Sequence, residues 1–290
     1  MAKGSKAAEF SVIGYLPEYR LQTFDLAVAS QVTDLIFFSI EPQVTGELNL
    51  ERLTPEVDKR LGEIRRGQQT RLFVSVGGWG RSAGFGRMAT DMQARRQFVD
   101  DLAEFCMERG FAGADFDWEF PADGEENGAY AVLLAEVKQV FQPNGLLVTV
   151  ALGPGQELSG LAYQVVDRVH LMAYDQGTRH STFEHAVQGV ELFLKRGVAA
   201  EKLCLGVPFY GRSMEDGDVA MTYADIVRLH RPSPGIDEAG GVYFNGIETI
   251  QRKTRHAMEC ELGGVMIWEL GQDVPGEGSL LGAIHRVVEV

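Results

Sequence analysis

Cysteine is scarce in this 290-residue chain: there are three, Cys106, Cys204 and Cys260, odd in number and far apart. That spacing excludes a disulfide framework and any CxxC metal pair, and Cys106 and Cys204 fall in apolar patterns that suit buried free thiols. Basic residues are also in deficit, 27 Lys and Arg against 41 Asp and Glu, for a formal net charge of −14. A nucleic-acid partner needs a basic face to neutralise phosphates, so none is expected, whereas a neutral or cationic ligand suits the balance. No apolar run reaches membrane-spanning length, and no membrane partner is expected. The start, MAKGSKAAEF, has no apolar signal core. Residues 1–10 read as an N-terminal tail, either a cytoplasmic start or what remains once a secretion signal is removed; the secreted form is the expected one. EF-hand spacing is missing, and His180 and His185, five apart in a polar segment, are expected in solvent. Linkers, low-complexity tracts and helical repeats are missing too. Residues 11–290 are therefore expected to form one domain, with a monomer as the expected state.

What is present is a large apolar fraction, 45%, enough for a sizeable core. It is distributed in short runs: Ser11–Leu16, Thr33–Ile40, Arg71–Val76, Gly113–Phe120, Leu146–Leu152, Arg168–Tyr174, Leu203–Tyr210 and Gly264–Leu270. Helical patterns separate most of them. Gln93–Arg109 carries Phe98, Leu102, Phe105 and Cys106 on one stripe and stops at Gly110. Further helices fit Pro55–Arg66, Ala129–Phe141, Phe183–Arg196 and Ile247–Glu261. Strand–helix alternation implies parallel strands with right-handed crossovers, and eight units in this length predict an α/β fold, a single (β/α)8 TIM barrel. A doubly wound sheet is the alternative, because alternation alone does not prove closure.

The most informative stretch is Gly113–Phe120, GADFDWEF. A strand sends successive side chains to opposite faces, so Asp115, Asp117 and Glu119 share one face and Phe116, Trp118 and Phe120 the other. In a barrel the rings suit the layer under the helices. The acids then point inward, with Glu119 nearest the carboxyl end, where barrel enzymes place their chemistry. Carboxylates roughly 6–7 Å apart along one face repel unless protons, hydrogen bonds or a ligand intervene. An internal ion-pair network and a hard-cation site are the other readings of this face, but the proposed strands offer no basic residue in mid-strand to pair with it.

Other strand ends repeat the theme. Gly77-Gly78-Trp79-Gly80 follows the third run, where glycines let the chain turn and a ligand approach. Gly78-Trp79-Gly80-Arg81-Ser82-Ala83 matches G-x-G-x-x-A, a weak nucleotide signal without a helical stripe behind it. Tyr174-Asp175, Tyr210-Gly211-Arg212 and Trp268-Glu269 close three later runs. Aromatics and acids collected at one barrel end describe a carbohydrate cleft, since sugar C–H faces stack on rings and hydroxyls pair with carboxylates.

The residues Ala112 to Glu119 resemble the DxxDxDxE signature of glycoside hydrolase family 18, the chitinases. Ser75-Val76-Gly77-Gly78 is similar to that family's SxGG motif and Met172-Ala173-Tyr174-Asp175 to its MxYD motif. Segments 206–212 and 264–268, with Tyr15 and Phe38, fit the pattern too, so the likeness runs from about Ser11 to Asp273. One departure is Ala112, where the signature has its first Asp; activity is expected to survive it. The resemblance implies retaining, substrate-assisted hydrolysis of β-1,4 links between N-acetylglucosamine units in chitin, endo-acting, with the substrate's acetamide oxygen as nucleophile and an oxazolinium intermediate. It implies Glu119 as acid and then base, raised in pKa by Asp117 and Asp115. Asp117 would accept the acetamide N–H, and Asp115 would lie deeper and share a proton or hydrogen bond with it. Tyr174 would donate to the acetamide oxygen. Tyr15, Phe38, Met172, Asp175, Trp268, Trp79, Tyr210 and Arg212 are the implied substrate-binding residues, with Trp268 under the reacting sugar. No metal or organic cofactor is implied. An endo-β-N-acetylglucosaminidase on N-glycans and a non-catalytic chitin-binding lectin are the competing functions. The 51 residues from Ser213 to Gly263 leave no room for a full α+β insertion beside the crossover helix, which predicts an open groove.

Overall fold

The computed structural model describes residues 10–67 and 70–289. The tail expected at residues 1–10 lies outside the described residues save for Phe10, which packs on the core. The barrel strands are β1 (Ser11–Pro17), β2 (Asp34–Pro42), β3 (Arg71–Gly77), β4 (Gly113–Asp117), β5 (Leu147–Leu152), β6 (Arg168–Leu171), β7 (Leu203–Pro208) and β8 (Gly264–Trp268). Each pairs in parallel with the next, and β8 pairs with β1, so the sheet closes as a single TIM barrel. A short segment, Leu48–Asn49, folds back antiparallel on β2.

Helices fill the crossovers, and polar side chains fix where they start. Met92–Arg109 begins where Asp91 accepts from the Gln93 and Ala94 N–H groups, both at 2.9 Å, and ends at Gly110 with φ 66°. Gly124–Phe141 starts five residues before the apolar stripe predicted from Ala129. The reason is a reciprocal cap: Asp123 accepts from Glu126 N–H at 2.9 Å, and Glu126 accepts from Ala122 N–H at 2.7 Å. The apolar stripe of Met92–Arg109 buries Phe98 against Phe116, ring centroids 6.4 Å apart. Full burial of such a side chain contributes about 2–3 kcal/mol.

Two apolar layers result. The outer layer joins the sheet to the helices, and the inner one fills the barrel with Ile13, Tyr15, Ile36, Phe38, Phe73, Cys204 and Met266. At the amino-terminal end, buried Asp34 holds Arg71 at 2.6 Å and Arg168 at 2.6 Å. Between β7 and the helix Ile247–Glu259 lies a reduced insertion. It consists of four short antiparallel strands, Tyr210–Ser213, Ala220–Thr222, Glu238–Ala239 and Val242–Tyr243, with one helix, Tyr223–His230. Its apolar residues Tyr223, Ile226 and Phe244 join the barrel core, so the unit leans on the barrel rather than enclosing a core of its own.

Candidate active site

Register places the acids. Asp115 lies between Ser75 of β3 and Thr149 of β5. Its carboxylate accepts from Tyr15 Oη at 2.5 Å and Thr149 Oγ1 at 2.6 Å, and His170 Nδ1 lies 3.0 Å away. The hydrogen bond expected between Asp115 and Asp117 is not formed; two hydroxyl donors from other strands, Tyr15 and Thr149, hold the deeper acid instead. His170 also corrects the reading that no strand brings a nitrogen base into the barrel interior.

Asp117, at the end of β4, is 3% exposed, and its Oδ1 has no hydrogen-bond partner. Burial first, then Glu119 and Asp115, push its pKa well above the ordinary range. Glu119 lies two residues beyond the strand, which bends away after Asp117. Its backbone N–H donates to Ser82 Oγ at 3.1 Å, and that oxygen also sits 3.2 Å from the Asp117 carbonyl. Ser82 thus ties the loop after β3 to the chain carrying Glu119, a role not read from the sequence. Glu119 is pushed up to about 7, by burial first and then by the charge of Asp175, while a hydrogen bond from the Trp79 backbone pulls the other way.

The rings divide in two. Trp118 stacks on Phe85 at 4.9 Å and packs on Tyr130, and Phe116 is buried, as a layer under the helices requires. Phe120 departs from that pattern: past the strand end alternation no longer holds, and it is 49% exposed, edge-on to Trp79 at 6.5 Å. Trp79 is 77% exposed at the rim. Inside the mouth, Trp268 meets Phe38 at 4.7 Å and Tyr15 at 5.6 Å, giving an aromatic floor beside the acids. Gly78, at φ 103°, lies against it; a Cβ there would fall 2.2 Å from the Phe38 ring. Arg81 stacks on the outer face of Phe38 and forks onto Glu18.

The β6 end supplies the opposite wall. Met172 packs on the inner cluster, and Tyr174 is buried edge-on to Tyr210 at 6.2 Å. Asp175, at φ 58°, accepts from Arg212 Nε at 2.9 Å and Nη2 at 2.8 Å, with His180 Nδ1 at 3.3 Å. Burial raises the Asp175 pKa, but hydrogen bonds from His180, Arg212 and Tyr210 outweigh it and hold the acid well below the carboxylate range. His180 is 1% exposed, not in solvent as its polar segment suggested. The next residue explains this: Lys253 Nζ, fully buried, donates to Ser181 O at 2.9 Å and Oγ at 2.7 Å and draws the loop inward. Among the described residues no group of three or more His, Cys, Asp or Glu is arranged to hold a metal ion, and no helix is long and apolar enough to cross a membrane.

The implied site residues therefore converge at one barrel mouth, apart from Trp79, which stands on its rim. A closed barrel with a proton-holding carboxyl, a buried partner acid and an aromatic floor defines a glycosidase-type barrel hydrolase. The model of the glycosyl hydrolases family 18 matches residues 11–273, and the chain belongs to that family. Probable chitinase 2 of Drosophila melanogaster is 27% identical, with 89% of this chain and 70% of that protein covered. Probable chitinase 10 of the same fly is 25% identical over 70% of this chain but only 12% of its own length. Chitinase 1 of Aphanocladium album is 24% identical and is covered to 66%. Among solved structures, the GH18 chitinase ChiB from the chitin utilization locus of Flavobacterium johnsoniae has a TM-score of 0.87 at 27% identity, covering 97% of this chain and 94% of that one. A chitinase from Bacteroides thetaiotaomicron shares the fold, with a TM-score of 0.85 at 22% identity and coverage of 97% and 96%.

Proposed function

We propose that this chain hydrolyses chitin, cutting β-1,4 links between N-acetylglucosamine units with retention of configuration. The observation that carries the reading is the pair at the β4 end: Glu119 pushed up to about 7 and, two residues before it, buried Asp117 with an unpartnered oxygen. Glu119 protonates the glycosidic oxygen as the bond to C1 breaks. The acetamide carbonyl oxygen of the same sugar closes on C1, giving an oxazolinium ion. Asp117 accepts the acetamide N–H, fixing that oxygen and offsetting the positive charge. Glu119, now a carboxylate, takes a proton from water, which opens the ring from the face the leaving group left. Tyr174 steadies the acetamide oxygen, Trp268 carries the sugar face, and Trp79 and Phe120 offer an apolar platform beyond the cut. The small insertion between β7 and β8 favours an open groove and internal cutting.

The test is a time course on N-acetylglucosamine tetramer to hexamer with anomer-resolved products, beside a high-mannose glycoprotein and cellulose oligomers of equal length. Retained products from the acetylated oligomers alone support the proposal. Inverted products, equal cleavage of cellulose oligomers, or turnover confined to the glycoprotein would remove it. Glu119→Gln should lower kcat by about 10²–10⁴-fold while oligomer binding persists.

A further inference from the structure

The parallel ladder around β4 ends before the acid is reached. Its last register partners are Gly77 of β3, opposite Asp117, and Val150 of β5, opposite Phe116. The peptide unit joining Trp118 to Glu119 therefore has no strand on either side to take its N–H and its carbonyl. Two side chains take them instead, one from the loop after each neighbouring strand. On the β3 side the Glu119 N–H donates to Ser82 Oγ at 3.1 Å. On the β5 side Gln156 Nε2 donates to the Trp118 carbonyl oxygen at 3.0 Å. A peptide unit is planar, so bonds at its two opposite edges fix the orientation of the whole plane. Both side chains are themselves anchored. Ser82 Oγ lies 3.1 Å from the Gly78 carbonyl and 3.2 Å from the Asp117 carbonyl, either of which accepts its proton. Gln156 Oε1 accepts from the Gly153 N–H at 2.7 Å, which turns Nε2 toward Trp118. Arg196 Nη1, just past the helix Phe183–Lys195, donates to the carbonyls of Pro154 at 3.0 Å and Gln156 at 2.7 Å and braces that loop.

We infer that Ser82 and Gln156 are positioning residues for hydrolysis: together they clamp the peptide plane that precedes Glu119 and so set where its carboxyl points. The inference rests on the functional reading above. Glu119 stands beyond the strand, where the ladder no longer fixes its backbone, yet it must deliver a proton to one glycosidic oxygen. The plane before it sets the direction in which its side chain leaves the backbone. A misplacement of about 1 Å at such a group can lower the rate about 10²-fold. The hydroxyl of Ser82 and the amide of Gln156 are spent on peptide groups, so both act through the backbone of Glu119. The clamp joins three strand ends: the loops after β3 and β5 close on the chain leaving β4 from opposite sides.

Ser82→Ala removes the acceptor, Ser82→Thr keeps an oxygen in its place, and Gln156→Leu removes the donor at similar length. Ser82→Ala and Gln156→Leu should each lower kcat on acetylated oligomers about tenfold, with KM within about threefold of wild type. Ser82→Thr should recover most of the kcat lost in Ser82→Ala. Unchanged kcat in Ser82→Ala and Gln156→Leu, a loss in KM alone, or equal losses in Ser82→Ala and Ser82→Thr would overturn the inference. Hydrogen exchange at the Glu119 amide of the unliganded protein gives a readout independent of turnover. That amide should be protected in wild type and should exchange about tenfold faster or more in Ser82→Ala. Because the plane moves as one unit, Gln156→Leu should speed it as well, although Gln156 touches only the carbonyl edge. An amide that exchanges freely in wild type, or keeps its protection in either variant, removes the clamp. The wild-type rate decides this even where a variant does not fold. Failure of wild type to cleave acetylated oligomers strikes the functional reading and the catalytic part of this one, while the exchange rates still judge how the peptide is held.

Discussion

Replacing Asp175 by Asn should move the alkaline limb of activity toward acid. In the proposed mechanism Glu119 serves as the acid only while protonated, so activity should be lost as pH rises through its pKa of about 7. That value lies above the ordinary 4.5 of a glutamate, and at about 1.4 kcal/mol per unit the difference is about 3 kcal/mol in favour of the protonated form. Burial is the larger cause and survives the substitution; the charge of Asp175 does not. A neighbouring carboxylate acting through an effective dielectric of about 20 contributes on the order of 1–2 kcal/mol. Arg212, paired with Asp175 at 2.8 Å, already cancels part of this. In Asp175→Asn the guanidinium remains without its partner and pulls Glu119 down further. The alkaline limb should therefore fall by about one pH unit, with the acid limb in place. The assay is kcat/KM on soluble acetylated oligomers from about pH 4 to about pH 9, which reports groups of the free enzyme whatever Asp175 does to affinity. An alkaline limb that stays put or moves upward would refute the electrostatic link between the two acids.

Two further substitutions test the frame around the site. Asp34→Ala leaves Arg71 and Arg168 without their shared counter-charge, and because Asp34 is fully buried the loss should be about 3 kcal/mol, read from the denaturant midpoint at unchanged m. Gly78→Ala sets a side chain at φ 103° and 2.2 Å from the Phe38 ring. It should cost about 2–5 kcal/mol in thermal or chemical unfolding and also lower turnover by displacing Phe38 from Trp268.

The sequence carried the barrel unusually far. Each of the eight predicted strands exists, because apolar runs bounded by helical stripes leave few ways to bury both faces of a parallel sheet. The errors gather at strand ends. Gly113–Phe120 reads as one alternating strand, yet the strand stops at Asp117, and Arg168–Tyr174 stops at Leu171. Period-two reasoning fails where the chain leaves the ladder, which is why Phe120 faces solvent and Glu119 sits in a bend tied to Ser82. His170 was within reach: two residues before Met172, it shares that residue's inward face.

By itself the sequence determined eight strand–helix units and the acids and rings expected at their carboxyl ends, since these follow from periodicity and from motifs read along one segment; closure of the sheet came with the tertiary structure. Only the tertiary structure decided which groups surround each acid. The donors to Asp115 come from β1 and β5, and the charge acting on Glu119 comes from Asp175 beyond β6. Burial and Coulomb interactions act through space, and no pattern along the chain encodes the distances on which they depend.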